Sequence, residues 1–329
     1  MKTILITGCA GLLGTNLSRH LLSKNYRVIG IDNFFGGYSD FLPTHENFTF
    51  YELNLESDDL TFIFNKNKID VVFHFAAYAA EGLSPFIRKF NYTNNVIASS
   101  NIINHCIINE IKLIFTSSMA VYGNQEVPFT ELMKPLPVDP YGIAKYSVEQ
   151  DIICGSKQFG LKYNIIRPHN VLGIYQNIWD KYRNVIGIFI RRVLNNEPIL
   201  IYGDGEQTRA FSDIKYYMEP FEKLIDGFDD ETYNIGADKF FKIKDVANIV
   251  KRISETYGYN PTIEFVECRH EVKHAYCNHD KVKHDLEFID NTNIEELIEE
   301  MFVWGMNQPN REVKKMEYEI HKNIYKFWL

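Results

Sequence analysis

Thr3-Ile4-Leu5-Ile6-Thr7-Gly8-Cys9-Ala10-Gly11-Leu12-Leu13-Gly14 lies at the start of the chain and decides its fold. An uncharged, β-prone run feeds three glycines spaced three apart, and a helical pattern follows over 14–24. Glycines at that spacing allow a tight turn, let backbone approach a pyrophosphate and let a helix pack on a strand. The helix start offers unpaired N–H groups and a partial positive charge to phosphate. The next β-rich run, 27–32, ends in Asp32. A carboxylate there accepts from an adenosine ribose 2′-OH and repels a 2′-phosphate. Asn33-Phe34-Phe35 follows, with no arginine. The pattern reads as dinucleotide binding, for NAD ahead of NADP.

Working outward, β-rich apolar runs at 3–7, 27–32, 48–52, 71–75, 113–117 and 163–167 alternate with helical patterns at 14–24, 58–67, 90–109 and 141–159. Continuous apolar runs suit parallel strands buried on both faces, and the alternation builds βαβ units. The expected class is α/β: a doubly wound parallel-sheet Rossmann domain with a smaller, interleaved C-terminal substrate lobe. After Pro168 the rhythm breaks. Helices are expected at 183–195 and 243–257. Residues 210–227 and 232–236 read as strand–helix–strand returning to the first sheet. The division is therefore 1–171 with 210–236 for the cofactor, and 172–209 with 237–329 for the substrate. The last stretch, 293–329, is charged and aromatic-rich and reads as helical.

The chain has 329 residues, 35 basic and 43 acidic, for a net charge of −8, with no basic block. That balance argues against nucleic acid or an anionic membrane as the main partner. Five cysteines without a CxxC pair suit a reducing compartment. The apolar run after Lys2 is too short for a secretory h-region, so a cytoplasmic location is expected. Cys268, His270, His274, Cys277, His279 and His284 form a cluster whose spacing matches no common zinc pattern, and no metal is expected.

Tyr141-Gly142-Ile143-Ala144-Lys145 places a phenol and an ammonium four apart, on one helix face. A free tyrosine titrates near ~10. A neighbouring lysine cation, with the positive charge of an oxidised nicotinamide, is expected to favour the phenolate and make a general base. Ser118 ends a buried strand upstream, and ligands bind at the carboxyl ends of strands in open α/β sheets.

With these pieces in place the chain resembles the extended short-chain dehydrogenase/reductases, and within them most the NAD-dependent UDP-glucose 4-epimerase group. The resemblance runs to about residue 285 on TGCAGLLG, IDN, FHFAAYAA, NNV, FTSSMAVYG, DPYGIAK, RPHNVLG and IYGDGEQTR. It implies Ser118 as the hydroxyl that polarises the reacting oxygen, Tyr141 as the base and Lys145 as its partner. It implies cofactor contacts at Gly8, Gly11, Leu12, Leu13, Gly14, Asp32 and Asn33. It adds Asn54 and Leu55 at the adenine, then Phe75, Ala76, Ala77 and Asn95. Pro168 and His169 are expected near the nicotinamide, beside Tyr141 and Lys145. For the substrate it implies Ser118, Asn170, Arg183, Asn184, Arg209 and Arg269, with Tyr276 limiting space around the sugar C2 group. A homodimer through the helices carrying Val96, Ile97, Ile103 and Ile107, and Ile143, Val148 and Ile152, is part of the same resemblance.

Met119-Ala120 follows Ser118 where 4,6-dehydratases of this scaffold carry an Asp-Glu pair, and it has no proton-transfer capacity. The implied reaction is 4-epimerisation of a nucleotide diphosphate sugar, most of all a UDP-hexose such as UDP-glucose or UDP-galactose. It proceeds by transient C4 oxidation, rotation of the 4-keto sugar and hydride return. A net oxidoreductase or 4-keto reductase satisfies the same residues. A non-catalytic NAD-binding regulator is the third reading, disfavoured by the retained Tyr141/Lys145 pair. Two departures bear on specificity: Glu81, where relatives carry a basic or small residue, and Ala210 after Arg209.

Overall fold

The apolar runs of the first half become parallel strands because their alternate residues feed two cores at once. A computed structural model describes residues 1–269, 271–312 and 314–328. Strands β1 (Thr3–Thr7), β2 (Arg27–Asp32), β3 (Phe48–Glu52), β4 (Val71–His74), β5 (Lys112–Thr116) and β6 (Tyr163–Pro168) join Glu231–Ile235 in one seven-stranded parallel sheet. Along β1, Ile4 and Ile6 pack to one side with Val28, Phe73 and Ile114, while Leu5 packs to the other with Ile29, Val72 and Leu113.

Helices cover both faces. On the first side lie α1 (Leu12–Ser23) and, later in the chain, Met218–Lys223, whose Leu17, Leu21 and Phe221 are fully buried. On the other lie α2 (Thr61–Lys66), α3 (Arg88–Tyr92), α4 (Ala98–Ile108) and α5 (Pro140–Phe159). The helix expected from residue 58 starts only at Thr61. Asp58 instead accepts the Asn54 N–H at 2.8 Å, and Asp59 accepts that of Thr61 at 2.9 Å. The run expected as one helix over 90–109 is interrupted by a π-helical turn at Thr93–Ile97. Such turns are frequent at functional sites.

The second lobe is built from α6 (Val185–Leu194), the strand pair β8 (Ile199–Tyr202) and β13 (Ile263–Val266), and α8 (Ile243–Thr256). A three-stranded sheet orders β12 (Phe240–Lys242), β9 (Thr208–Ala210) and β14 (His274–Ala275). A two-residue pairing of β7 (Val171–Leu172) with β10 (Ser212–Asp213) links the lobes, and β11, the Glu231–Ile235 strand, lies against β6. Helices α7 (Met218–Lys223), α9 (Asp280–Leu286) and α10 (Ile294–Met306) complete the chain. Among the described residues no helix is long and apolar enough to cross a membrane.

The helical expectation for 293–329 is corrected. The helix ends at Met306 with Asn307 as its cap, and Pro309 follows, which disfavours helix at the residue before it. The rest of the segment runs back across the molecule. Tyr318, Tyr325, Phe327 and Trp328 pack there with Leu83, Phe86, Ile87 and Tyr182.

Candidate active site

The carboxyl ends of the parallel strands open onto a cleft of about 720 Å³, within the ordinary range for a small-molecule site. Strand β5 delivers Thr116-Ser117-Ser118 to its floor. Helix α5 delivers Tyr141 and Lys145. That helix starts there because Asp139 accepts the Gly142 N–H at 2.9 Å and Pro140 takes the first turn, where no N–H is needed. Ser118 is held as the cap of the short Met119–Tyr122 turn, its Oγ accepting the Ala120 N–H at 3.1 Å. It lies on the same cleft wall as the Tyr141 phenol, whose pKa it acts to lower. Ser118, Tyr141 and Lys145 therefore share one wall, as their spacing suggests.

The electrostatics bear on the lysine's part in the phenolate expectation. Burial pushes the Tyr141 phenol well above its ordinary range, with Glu81 and Asp139 adding to the rise against Ser118 and Arg183. Burial likewise brings Lys145 down to about 7, opposed by Glu149. The ammonium is turned to the Thr116 carbonyl at 2.7 Å and lies 5.9 Å from the Tyr141 ring centre. Lysine proximity by itself thus leaves the phenol neutral.

Behind the wall lies a network the sequence reading missed. Glu149, four residues beyond Lys145, is fully buried and pairs with Arg167 at 2.9 and 2.6 Å. Its Oε1 also accepts from Ser117 at 2.5 Å. Arg167 donates to the Tyr122 hydroxyl at 2.8 Å, which donates to Asn234 at 2.7 Å. The signal was present: Tyr141, Lys145 and Glu149 continue one i, i+4 stripe.

The glycine loop has the shape of a phosphate cradle. A Cβ at Gly8, whose φ is +70°, would lie 2.8 Å from the Ala76 nitrogen, and one at Gly14 would lie 2.2 Å from the Gly8 carbonyl oxygen. Gly8, Gly11, Leu12, Leu13 and Gly14 line the cleft. An adjoining cavity of about 110 Å³ is bordered by Asp32, Asn33, Leu55, Phe75, Ala76 and Ala77. Asp32 accepts the N–H groups of Ala10 at 2.9 Å and Phe34 at 2.8 Å, and burial raises its pKa. Asn54 lines neither cavity and meets this one through Asn33, whose amide donates to it at 2.8 Å. Arg183 borders both cavities and leaves a buried NH2 without a partner, while a Cβ at Gly36 would lie 2.8 Å from that nitrogen. A cradle without side chains, a carboxylate at the end of β2 and a guanidinium with one nitrogen unpartnered fit a dinucleotide.

Three further expected contacts fall elsewhere. Asn95 is buried behind the wall, its amide spent on the Tyr78 backbone and on Asn91, so it shapes the loop. His169 does not line the cleft, because its ring is engaged by the Ala210 carbonyl at 3.3 Å and by His279. Its Nε2 lies 3.1 Å from that of His279, and burial lowers its pKa to about 3. Tyr276 stacks on Phe240 at 4.7 Å outside the cleft; Arg269, Glu271 and Val272 are the described residues of this segment that reach it.

The histidine-rich cluster is likewise rearranged. Cys277 and His279 meet His169, with one ligand atom of each within 4.8 Å of the others and all three residues buried. His270 lies outside the described residues. His279 is already oriented by Asp238 at 2.8 Å. Three donors fall short of the closed tetrahedral set of a structural zinc site, and no metal is assigned.

Asn170, Pro168, Asn184, Arg209 and Arg269 all border the cleft. Asn170 and Asn184 have φ of 36° and 31°, a region asparagine tolerates. Arg209 is anchored to Glu271 at 3.1 Å and to the Val272 carbonyl at 2.7 Å. Arg269 stacks on Tyr202 at 4.2 Å and keeps a buried Nε without a partner. Glu81 opens to the cleft. Burial and Asp139 push its carboxyl up to about 7, against the pull of Arg209 and Arg269. Asn323 and Tyr325, from the C-terminal segment, complete the rim.

The sequence profile of the NAD dependent epimerase/dehydratase family matches residues 4–236. A putative UDP-glucose 4-epimerase of Methanocaldococcus jannaschii is 32% identical over 255 residues, covering 75% of this chain and 81% of that protein. A trifunctional UDP-glucose 4,6-dehydratase/UDP-4-keto-6-deoxy-D-glucose 3,5-epimerase/UDP-4-keto-L-rhamnose-reductase of Arabidopsis thaliana is 28% identical over 325 residues. It matches 94% of this chain, which spans 48% of that protein, about half its length. The crystal structure of UDP-glucose 4-epimerase from Thermotoga maritima with UDP-glucose superposes with a TM-score of 0.85 at 29% identity, covering 92% of this chain and 98% of that one.

Proposed function

The chain belongs to the NAD dependent epimerase/dehydratase family, and on that premise we propose that it epimerises a nucleotide sugar at C4, with a UDP-hexose such as UDP-glucose or UDP-galactose as substrate. The observation that carries this reading is the convergence of Ser118, Tyr141 and Lys145 on one cleft that is also lined by Arg209 and Arg269. NAD, which the glycine loop and Asp32 would hold, would supply the acceptor and donor of a C4 hydride and, when oxidised, a positive charge near the phenol, while Arg183 lines both cavities between cofactor and substrate. Tyr141 takes the proton of the 4-hydroxyl, Ser118 holds that oxygen in line, and Lys145 fixes the phenol's surroundings. The arginines retain the diphosphate while the keto-sugar turns. Arginine suits this by its bidentate geometry.

Purified protein incubated with UDP-glucose or UDP-galactose, followed by separation of the products, tests the proposal. The expected result is the C4 epimer at constant NADH absorbance. No epimer from NAD-loaded protein overturns it. Stoichiometric change in NADH instead establishes the oxidoreductase or reductase reading. Glu81 and Asp139 near Tyr141 favour one further reading, elimination of water from the sugar, which mass spectrometry of the product would identify.

We also propose a homodimer, supported by the half-exposed Ile97 and Ile143 on the helical layer of the resemblance; sedimentation at several concentrations tests it. Five free cysteines suit the reducing cytoplasm.

A further inference from the structure

The C-terminal segment after Met306 crosses the mouth of the cleft and is fastened to both lobes. On the cofactor side, Arg311 forms a two-pronged bond to Asp40 at 2.9 and 2.5 Å, and Lys314 reaches the Phe34 carbonyl at 2.6 Å. Glu319 accepts the free N–H groups of Lys89 and Phe90 at 2.7 and 2.8 Å, at the start of α3. On the substrate side, Lys181 holds the Trp328 carbonyl at 2.7 Å, and the Lys326 N–H donates to Glu267 at 3.0 Å.

Between these anchors the segment presents chemistry to the cleft. An aromatic row runs from Phe86 through Tyr325 and Phe327 to Tyr202, with ring centres 5.8, 5.2 and 4.3 Å apart. Arg269 is stacked on that same Tyr202. Asn323, at the rim, sits at φ 59° in the left-handed region, and among the described residues its side-chain amide has no hydrogen-bond partner. A left-handed asparagine with a spare amide beside an aromatic row matches a planar, hydrogen-bonding ligand next to a diphosphate.

We infer that residues 307–312 and 314–328 belong to a strap at the substrate site, in which Asn323 and Tyr325 contact the base and ribose of the nucleotide sugar and thereby set nucleotide affinity. This rests on the nucleotide-sugar reading above. Asn323 and Tyr325 line the same cleft as Ser118 and Tyr141 without belonging to that wall, and the strap's proposed role is in binding, not in the C4 chemistry.

The test uses the full chain and UDP itself as probe, by calorimetry, beside turnover of the UDP-sugar. Asn323→Gly keeps the left-handed backbone while removing the amide, and Tyr325→Ala removes the ring. Each is expected to weaken UDP binding and raise KM roughly tenfold, the scale of one lost base-stacking or buried polar contact. kcat and NAD content stay within about twofold, since neither residue borders the reacting carbon. Retained NAD and melting temperature show that the variants fold. UDP bound as tightly by both variants as by the parent overturns the strap alone. UDP bound by the parent without turnover, yet weakened in the variants, leaves the strap standing and overturns the epimerase reading. A parent that binds no UDP overturns both.

Discussion

Replacing Arg167 by methionine tests how the buried pair behind the catalytic wall contributes. Glu149 is fully buried and Arg167 is 6% exposed, so the substitution strands a carboxylate with only the Ser117 hydroxyl as donor. Breaking one side of a buried pair costs about 3–5 kcal/mol. At roughly 2 °C per kcal/mol for a chain of this size, the midpoint of thermal unfolding should fall by about 6–10 °C. Glu149→Met combined with Arg167→Met removes both charges. Tyr122 keeps Asn234 as partner, and only Ser117 is left unpaired, at a cost of about 1–2 kcal/mol. The double variant should therefore recover most of the lost stability. Activity should not recover with it. Glu149 is the group that opposes the burial-driven fall of Lys145 to about 7. Without Glu149 the lysine loses its proton at lower pH, and the alkaline limb of the kcat profile moves toward acid. Calorimetric melts of the parent, both singles and the double, with kcat measured across pH, check this. A double variant as unstable as Arg167→Met would refute the ion-pair account. An unmoved alkaline limb in a stable double variant would refute the link to Lys145.

Tyr141→Phe should lower kcat by at least about a hundredfold while leaving NAD and UDP binding intact, the usual scale for loss of a general base; single-turnover measurements separate the effects. Gly14→Ala drives a methyl against the Gly8 carbonyl oxygen, so the purified protein should contain little NAD, read directly from its extract. His74 is fully buried between Thr7 and Ser99, at 2.7 and 2.8 Å, with its pKa lowered to about 3. Its folded value lies below its unfolded one, so the unfolded chain binds the extra proton and stability is lost as pH falls from about 6.5 toward 3. His74→Gln should flatten that acid slope in melts between pH 7 and 4; an identical slope would assign the loss to other groups.

Local chemistry carried much of the design. The doubly wound sheet was legible because each strand is a short apolar run, and burial on both faces needs no knowledge of neighbours. The glycine loop was legible because Gly8 and Gly14 answer to contacts within their own turn and an adjacent strand end. Tyr141 and Lys145 were legible because four residues on a helix is one face. The same rule, carried one turn further, would have reached Glu149.

The sequence by itself determined the strands of the main sheet, the glycine cradle and the Tyr141/Lys145 helix face, since these follow from period, spacing and backbone freedom over short stretches. Tertiary structure alone decided which way loop-end side chains face. His169 turned to His279, Asn95 became a brace, and Tyr276 left the cleft, because those orientations depend on packing between segments about 17 to 110 residues apart. It also decided protonation. Glu81 at about 7 and Lys145 at about 7 arise from burial and from partners on other elements. The C-terminal strap is the extreme case, since nothing in residues 307–328 names Asp40, Glu267 or Tyr202 as its anchors.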